Sequence, residues 1–358
     1  LVYFLEEPIQ DGGHLEARLD IHEEPEGVRI CVPLLPPGCS EKQSAEIQRG
    51  FLDEILDNHA GSDIVFWYYT PMALRFSAHR EPDLCVYDCM DELSAFRGAP
   101  PELIDLERQL FDLADLVFTG GQSLYEAKRA RHPSVHALPS SIDKAHFGQA
   151  RKVGLPEPPD QQALPRPRIG FFGVVDERMD TGLVDRIAEL RPDWQIVMLG
   201  PVVKIDPATL PRKANLHWLG SKSYGELPGY LAGWNAGFMP FALNEATRFI
   251  SPTKTPEFLA AGVPVVSTAI RDVQKPYGTL GLVEIARTGE EFVQALERVM
   301  HRAPQEWRKA VDRHLADMSW DQSWAAMALL MRTRLLAGAP ASLATTTPTT
   351  DRKGAAHV

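Results

Sequence analysis

A chain of 358 residues, 44% hydrophobic and 24% charged, is long enough for two domains of ordinary size with a buried core in each. The net charge of −11 is concentrated in residues 1–150, with 12 Lys and Arg against 26 Asp and Glu, which argues against nucleic acid and against anionic lipid. The remaining residues carry 25 against 22, a balance suited to an anionic ligand. No apolar run approaches the roughly 20 residues of a bilayer span and no signal peptide is visible, so a cytoplasmic protein is expected, with at most peripheral membrane association. Cys31, Cys39, Cys85 and Cys89 have no paired metal spacing and read as reduced thiols.

Short apolar runs alternate with amphipathic stretches along the first half, the pattern of a parallel sheet flanked by helices. Strands are expected at Val2–Leu5, Arg29–Leu35, Ile64–Tyr69, Leu84–Asp88, Leu116–Thr119 and Val135–Leu138. Ser40 and Gln43 form a capping-box pattern opening a helix to about Leu56; further helices should cover Pro101–Asp115 and Ser123–Arg131. The strand Leu84–Asp88 leads into Met90-Asp91-Glu92, so Asp88 and Asp91 should sit beyond a strand C-terminus, where open α/β sheets bind ligands. A carboxylate there could take a proton from an acceptor hydroxyl; equally, Asp88 could cap a turn and Asp91 or Ser94 a helix. Trp67-Tyr-Tyr, at another strand end, could stack a sugar ring or fill the core. Lys128, Arg129 and Arg131 read as a basic helix C-terminus.

Residues 148–167 turn to Pro, Gln and Gly without periodicity and mark a linker between domains 1–147 and 168–318. The second half restarts with a strand ending at Gly173 and continues as a βα alternation to Glu290–Met300. A final helix over 319–337 follows, and the Ala, Thr and Pro of 338–358 read as a disordered tail. Within the alternation stands Ser251-Pro-Thr-Lys-Thr-Pro-Glu-Phe-Leu-Ala-Ala-Gly262, then Val263 to Thr268. Ser251 and Thr255 suit N-caps, Pro252 and Pro256 suit first helical positions, and Gly262 suits the stop before a buried strand. Such a helix entry points unpaired amides and a positive dipole outward, an anion site to which Ser251, Thr253 and Lys254 contribute. Glu257, in the first turns, would reach a sugar hydroxyl on that anion.

This segment resembles the donor-site signature of GT-B-fold glycosyltransferases, particularly the retaining family 4 and its bacterial exopolysaccharide and teichuronic-acid relatives. Asn215–Gly220, Tyr224–Tyr230 and Gly237–Phe241 follow as in such donor domains, and Asp115–Ser123 and Val135–Phe147 resemble the end of the acceptor domain. The resemblance implies two Rossmann-like, doubly wound domains facing across a cleft, with the last helix crossing back over the first. It also implies that a first strand, loop and helix usually precede Leu1, so that the chain reads as a fragment. A nucleotide-diphosphate sugar, UDP-linked by preference, would donate to a glycan or lipid-linked acceptor in cell-envelope polysaccharide synthesis. Arg178 fits the family's arginine that grips the diphosphate beside the turn at Gly173. The lysine expected soon after is absent, and Lys204 or Lys254 would supply its charge. Glu257 matches a glutamate on the ribose, whereas an earlier family glutamate falls on Phe249, with Glu245 or Asn244 as substitutes from the neighbouring loop. No Asp-x-Asp and no metal-ligand cluster occurs, so transfer without metal or other cofactor is expected. A silent nucleotide-sugar-binding protein and a sugar-nucleotide epimerase are the rival readings.

Overall fold

The computed structural model describes residues 1–10 and 16–338; the expected tail lies outside the described residues from 339 onward. The second half is a sheet of six parallel strands: β9 (Arg168–Phe172), β10 (Gln195–Leu199), β11 (Leu216–Trp218), β12 (Ala236–Met239), β13 (Val265–Ser267) and β14 (Glu284–Ile285). Their order is β11-β10-β9-β12-β13-β14. The order in which strands are laid down therefore reverses between β9 and β12, and the crevice beyond their C-terminal ends is where doubly wound sheets take ligands. β9 and β12 are buried throughout, and apolar clusters cover both faces of the sheet. Trp234 lies so close to Gly170 that a Cβ there would fall 2.1 Å from its ring, so this strand position has room only for glycine.

The first half holds two sheets. β5 (Val65–Tyr68), β6 (Leu84–Cys89), β7 (Leu116–Thr119) and β8 (Val135–Ala137) run parallel in that order. β1 (Val2–Leu5) and β2 (Ile9–Gln10) pair parallel with one edge of β4 (Val28–Leu35), and β3 (Arg18–Glu23) pairs antiparallel with the other. The antiparallel β3 departs from the all-parallel expectation. Its alternation of charged and apolar residues suits a solvated edge strand. The capping box at Ser40 and Gln43 forms as expected, opening the helix Glu41–Asp57.

Residues 148–167 pack on the second half rather than running loose. The buried Gln161 donates to the Tyr230 carbonyl at 3.0 Å and accepts from the Trp234 indole at 2.6 Å. The helix Trp320–Gly338 returns to the first half, laying Met327, Leu330, Met331 and Leu335 over Leu84, Val86, Leu116 and Phe118. Trp324 reaches Trp67, with ring centroids 6.4 Å apart, and Arg334 pairs with Asp115 at 3.3 Å.

The halves also meet directly. The helix Gln122–Lys128 begins at Gly121, which has no side chain to cap it. Asp272 of the second half supplies the cap, its carboxylate accepting from the Ser123 amide at 3.0 and 3.3 Å. The Ser123 hydroxyl donates to the Phe249 carbonyl at 3.2 Å, and Arg271 pairs with Glu126. Lys128 ends that helix, as expected, and is buried and ion-paired with Glu92 at 2.7 Å and Glu107 at 2.8 Å.

Candidate active site

Gly173 follows β9 with φ +138°, and a Cβ there would stand 2.8 Å from Cε of Lys254. Glycine thus lets the lysine stem cross the end of β9. Gly200 follows β10 with φ +137°, against the Gly173 carbonyl, and the two loops run on side by side through the Val175–Val202 bridge. One loop carries Arg178 and the other Lys204, and Lys254 from the helix entry crosses the end of β9.

The helix entry is at Lys254, with Thr253 at the N-cap position in helical conformation and without a side-chain cap. The Thr253 hydroxyl instead accepts from the Lys254 ammonium at 3.3 Å, and the ammonium lies 5.8 Å from the Phe172 ring centroid. The expected caps at Ser251 and Thr255 do not form. Thr255 is buried and donates to the Met239 sulfur at 3.7 Å, and Ser251 packs toward Gly121 at the contact between halves. Pro256 sits inside the first turn, where a missing N–H removes no helical bond. Gly262 ends the helix at φ +75°, as expected.

Glu257 places a buried carboxylate oxygen, Oε2, with no hydrogen-bond partner. Burial pushes its pKa up and Lys254 opposes the rise. A buried acceptor without a donor is rare in folded proteins and fits a ligand hydroxyl. Tyr224 stands within electrostatic reach of Glu257, exposed on one face and stacked on His146 with centroids 3.9 Å apart and planes at 11°.

In the first half, at the end of β6, Asp88 is buried, and its Oδ2 accepts from the Trp67 indole at 3.2 Å while Oδ1 has no partner. Burial pushes its pKa up to about 6. Asp91 is half-buried; burial raises its pKa and Arg178 of the second half lowers it. Neither aspartate caps a helix, since the turn Leu93–Ala95 begins at Glu92 without a side-chain cap. Arg178 is gripped by Asp176 at 2.7 to 3.0 Å. Arg178 and Lys204 each lie 5.7 Å from the ring centroid of Phe96, which follows the same turn.

No family model matches the chain. It is 25% identical over 290 residues, 74% of this chain and 71% of the relative, to a Bacillus subtilis protein named as a teichuronic acid biosynthesis glycosyltransferase. Its fold matches sucrose-phosphate synthase from Thermosynechococcus elongatus with TM-score 0.66 at 14% identity, over 89% of this chain and 86% of that one. It matches Anabaena HepE in complex with UDP with TM-score 0.62 at 13% identity, over 84% and 86%. The chain is a glycosyltransferase of the GT-B fold.

In this glycosyltransferase the position expected to hold the earlier glutamate does other work. Phe249 packs its ring against the first-half cluster of Tyr68, Leu74 and Leu110, so an apolar side chain belongs there. The proposed substitutes turn away: Asn244 caps its own turn on the Thr247 amide at 3.1 Å, and Glu245 is exposed beside Arg248. His146, given no role by spacing, becomes the backing of Tyr224. Phe96 and Asp272 also escaped notice, because a lone phenylalanine and a lone aspartate carry no local pattern. Among the described residues no group of three or more His, Cys, Asp and Glu is placed to hold a metal, and no helix is long and apolar enough to cross a membrane.

Proposed function

We propose that this glycosyltransferase takes its sugar from a nucleotide diphosphate, UDP by preference, and delivers it to a hydroxyl of a glycan or lipid-linked acceptor in cell-envelope polysaccharide assembly in the cytoplasm. One observation carries the reading: an uncapped helix entry whose lysine crosses the glycine turn of β9, with the unpartnered carboxylate of Glu257 beside it. The diphosphate lies against the amides near Thr253 and Lys254, with Arg178 and Lys204 closing the charge, and Glu257 accepts from a ribose hydroxyl. The open face of Tyr224 suits a nucleobase. The UDP complex of HepE and the teichuronic-acid role of the Bacillus subtilis relative support the choice of donor and pathway.

The cations and helix dipole stabilise the departing diphosphate without a metal, the electrostatic term that usually dominates such catalysis. Asp91 and Asp88, at the end of β6, are the groups that take up the acceptor proton or face the cationic transition state. Family 4 likeness favours retention at the anomeric carbon. Residues 1–147 form the acceptor side and 168–318 the donor side in this reading, with 319–337 as the crossing helix. Calorimetry with UDP, ADP and GDP, followed by turnover of UDP-sugars against glycan acceptors in chelator, tests it. Absence of binding to every nucleotide would remove the donor site, and binding without turnover would mark a silent binding protein, the reading that Phe249 in place of glutamate favours.

A further inference from the structure

Phe96 is the point at which loops from both halves converge. Its ring comes from the turn after β6, yet it stands 5.7 Å from the guanidinium of Arg178 and 5.7 Å from the ammonium of Lys204. Those cations belong to separate loops, one following β9 and one following β10. Lys204 holds a left-handed backbone, φ +61°, which only glycine adopts without cost. Among the described residues no carboxylate pairs with Lys204; the phenyl face is its partner. Arg178 has Asp176 on one edge and Phe96 on another side. A phenyl ring attracts a cation weakly through its quadrupole, whereas a phosphate oxygen offers full charge and a hydrogen bond. Where both compete for the same cations, the phosphate wins.

The turn is built to let go. Its start is fixed by the buried pair of Glu92 with Lys128 at 2.7 Å. Beyond Glu92, Phe96 is held by the bond of its amide to the Leu93 carbonyl at 3.3 Å, by the Ala99 amide on its own carbonyl at 3.1 Å, and by the two cations. Gly98, at φ +80°, gives the far end a glycine pivot with open space around it.

We propose that Phe96 is a positioning residue of the donor site, its ring covering Arg178 and Lys204 until a donor diphosphate displaces it, so that donor binding moves the turn beyond the Glu92 anchor, the segment next to Asp91. This rests on the donor reading above and adds a first-half residue to it. Phe96 competes with the donor, and its loss tightens nucleotide binding, the reverse of what removing a contact residue does.

The test is calorimetry with UDP and ADP on the full chain, comparing wild type with Phe96→Leu, Phe96→Ala, Lys204→Ala and the Phe96→Leu/Lys204→Ala double variant. Phe96→Leu keeps the apolar bulk and is checked by an unchanged melting temperature. The expected result is an affinity gain of roughly fivefold for Phe96→Leu, as the loss of two weak cation–ring contacts implies, shrinking when Lys204 is absent. Equal or weaker binding by both Phe96 variants overturns the proposal and leaves the donor site standing. A gain of the same size without Lys204 overturns it as well. Failure of every protein, wild type included, to bind either nucleotide overturns the donor reading and this inference with it.

Discussion

At the scale of single residues, the site depends on groups kept short of partners. Lys254 and Glu257 sit on either side of an uncapped helix entry, and replacing either by alanine should weaken UDP binding about tenfold or more in calorimetry, since each removes a charged hydrogen-bonding group. Gly173→Ala should do as much without touching a charge, because its φ of +138° and the 2.8 Å approach of Lys254 leave no space for a methyl. Asp88 makes a claim that pH can test. Its folded pKa of about 6 lies above that of an exposed aspartate, so the protonated form is the one the fold favours. Stability from this group is fully present below about pH 4 and declines as pH rises to about 6, by about 3 kcal/mol in all. Asp88→Asn should abolish that decline. Urea melts of both proteins at pH 4.5 and 7.5 should show the variant gaining on wild type at the higher pH, and parallel melts would disprove the assignment. Transfer, if Asp88 takes up a proton, should rise through about pH 6.

Among elements, the second half was the more legible. β9 ends at the Gly173 turn and the βα alternation runs on to the helix Gly289–His301 as expected, because each element is a continuous apolar run or a clear amphipathic stretch between turn signals. The helix Pro304–Leu315 went unread although Pro304 starts it and Trp307, Val311 and Leu315 bury one face at four-residue spacing. Its mostly polar composition hid that signal. β3 was hidden by flanking charge, and the entry of the site helix was misplaced because its Ser and Thr residues make tertiary contacts that local propensity cannot register. Of the candidate site, the local grouping of Gly173 with Lys254 and Glu257 was legible. What spans the halves, Asp272 and Phe96 above all, could not be found without the fold. The cap supplied by Asp272 should be worth about 1 to 2 kcal/mol. Asp272→Ala should therefore lower the melting temperature by a few degrees. Asp272→Asn, which keeps an acceptor for the Ser123 amide, should recover most of the loss; identical melting of the alanine variant and wild type would show that the contact carries no weight.

Across the whole molecule, the proposed donor groups belong to the second half and the aspartates to the first, so on the proposed reading transfer needs the halves in register while the second half holds the nucleotide. The helix Trp320–Gly338 is what makes that separable. It leaves the second half, crosses, and covers Leu84, Val86, Leu116 and Phe118, which include two residues of β6, the strand that carries Asp88. Leu330→Ala with Met331→Ala removes part of that cover while leaving the switch point of the other sheet untouched. Since both side chains are half-buried, the combined cost should be about 2 to 3 kcal/mol, below that of fully buried positions. The first half should then unfold ahead of the second, read by the fluorescence of Trp67 and Trp324 against the binding of UDP. UDP affinity should hold, or rise where loosening of the first half also frees Phe96, while transfer falls severalfold. A parallel fall in both would mean that the two halves build the nucleotide site jointly, and the division of labour drawn from the sheets would have to be abandoned.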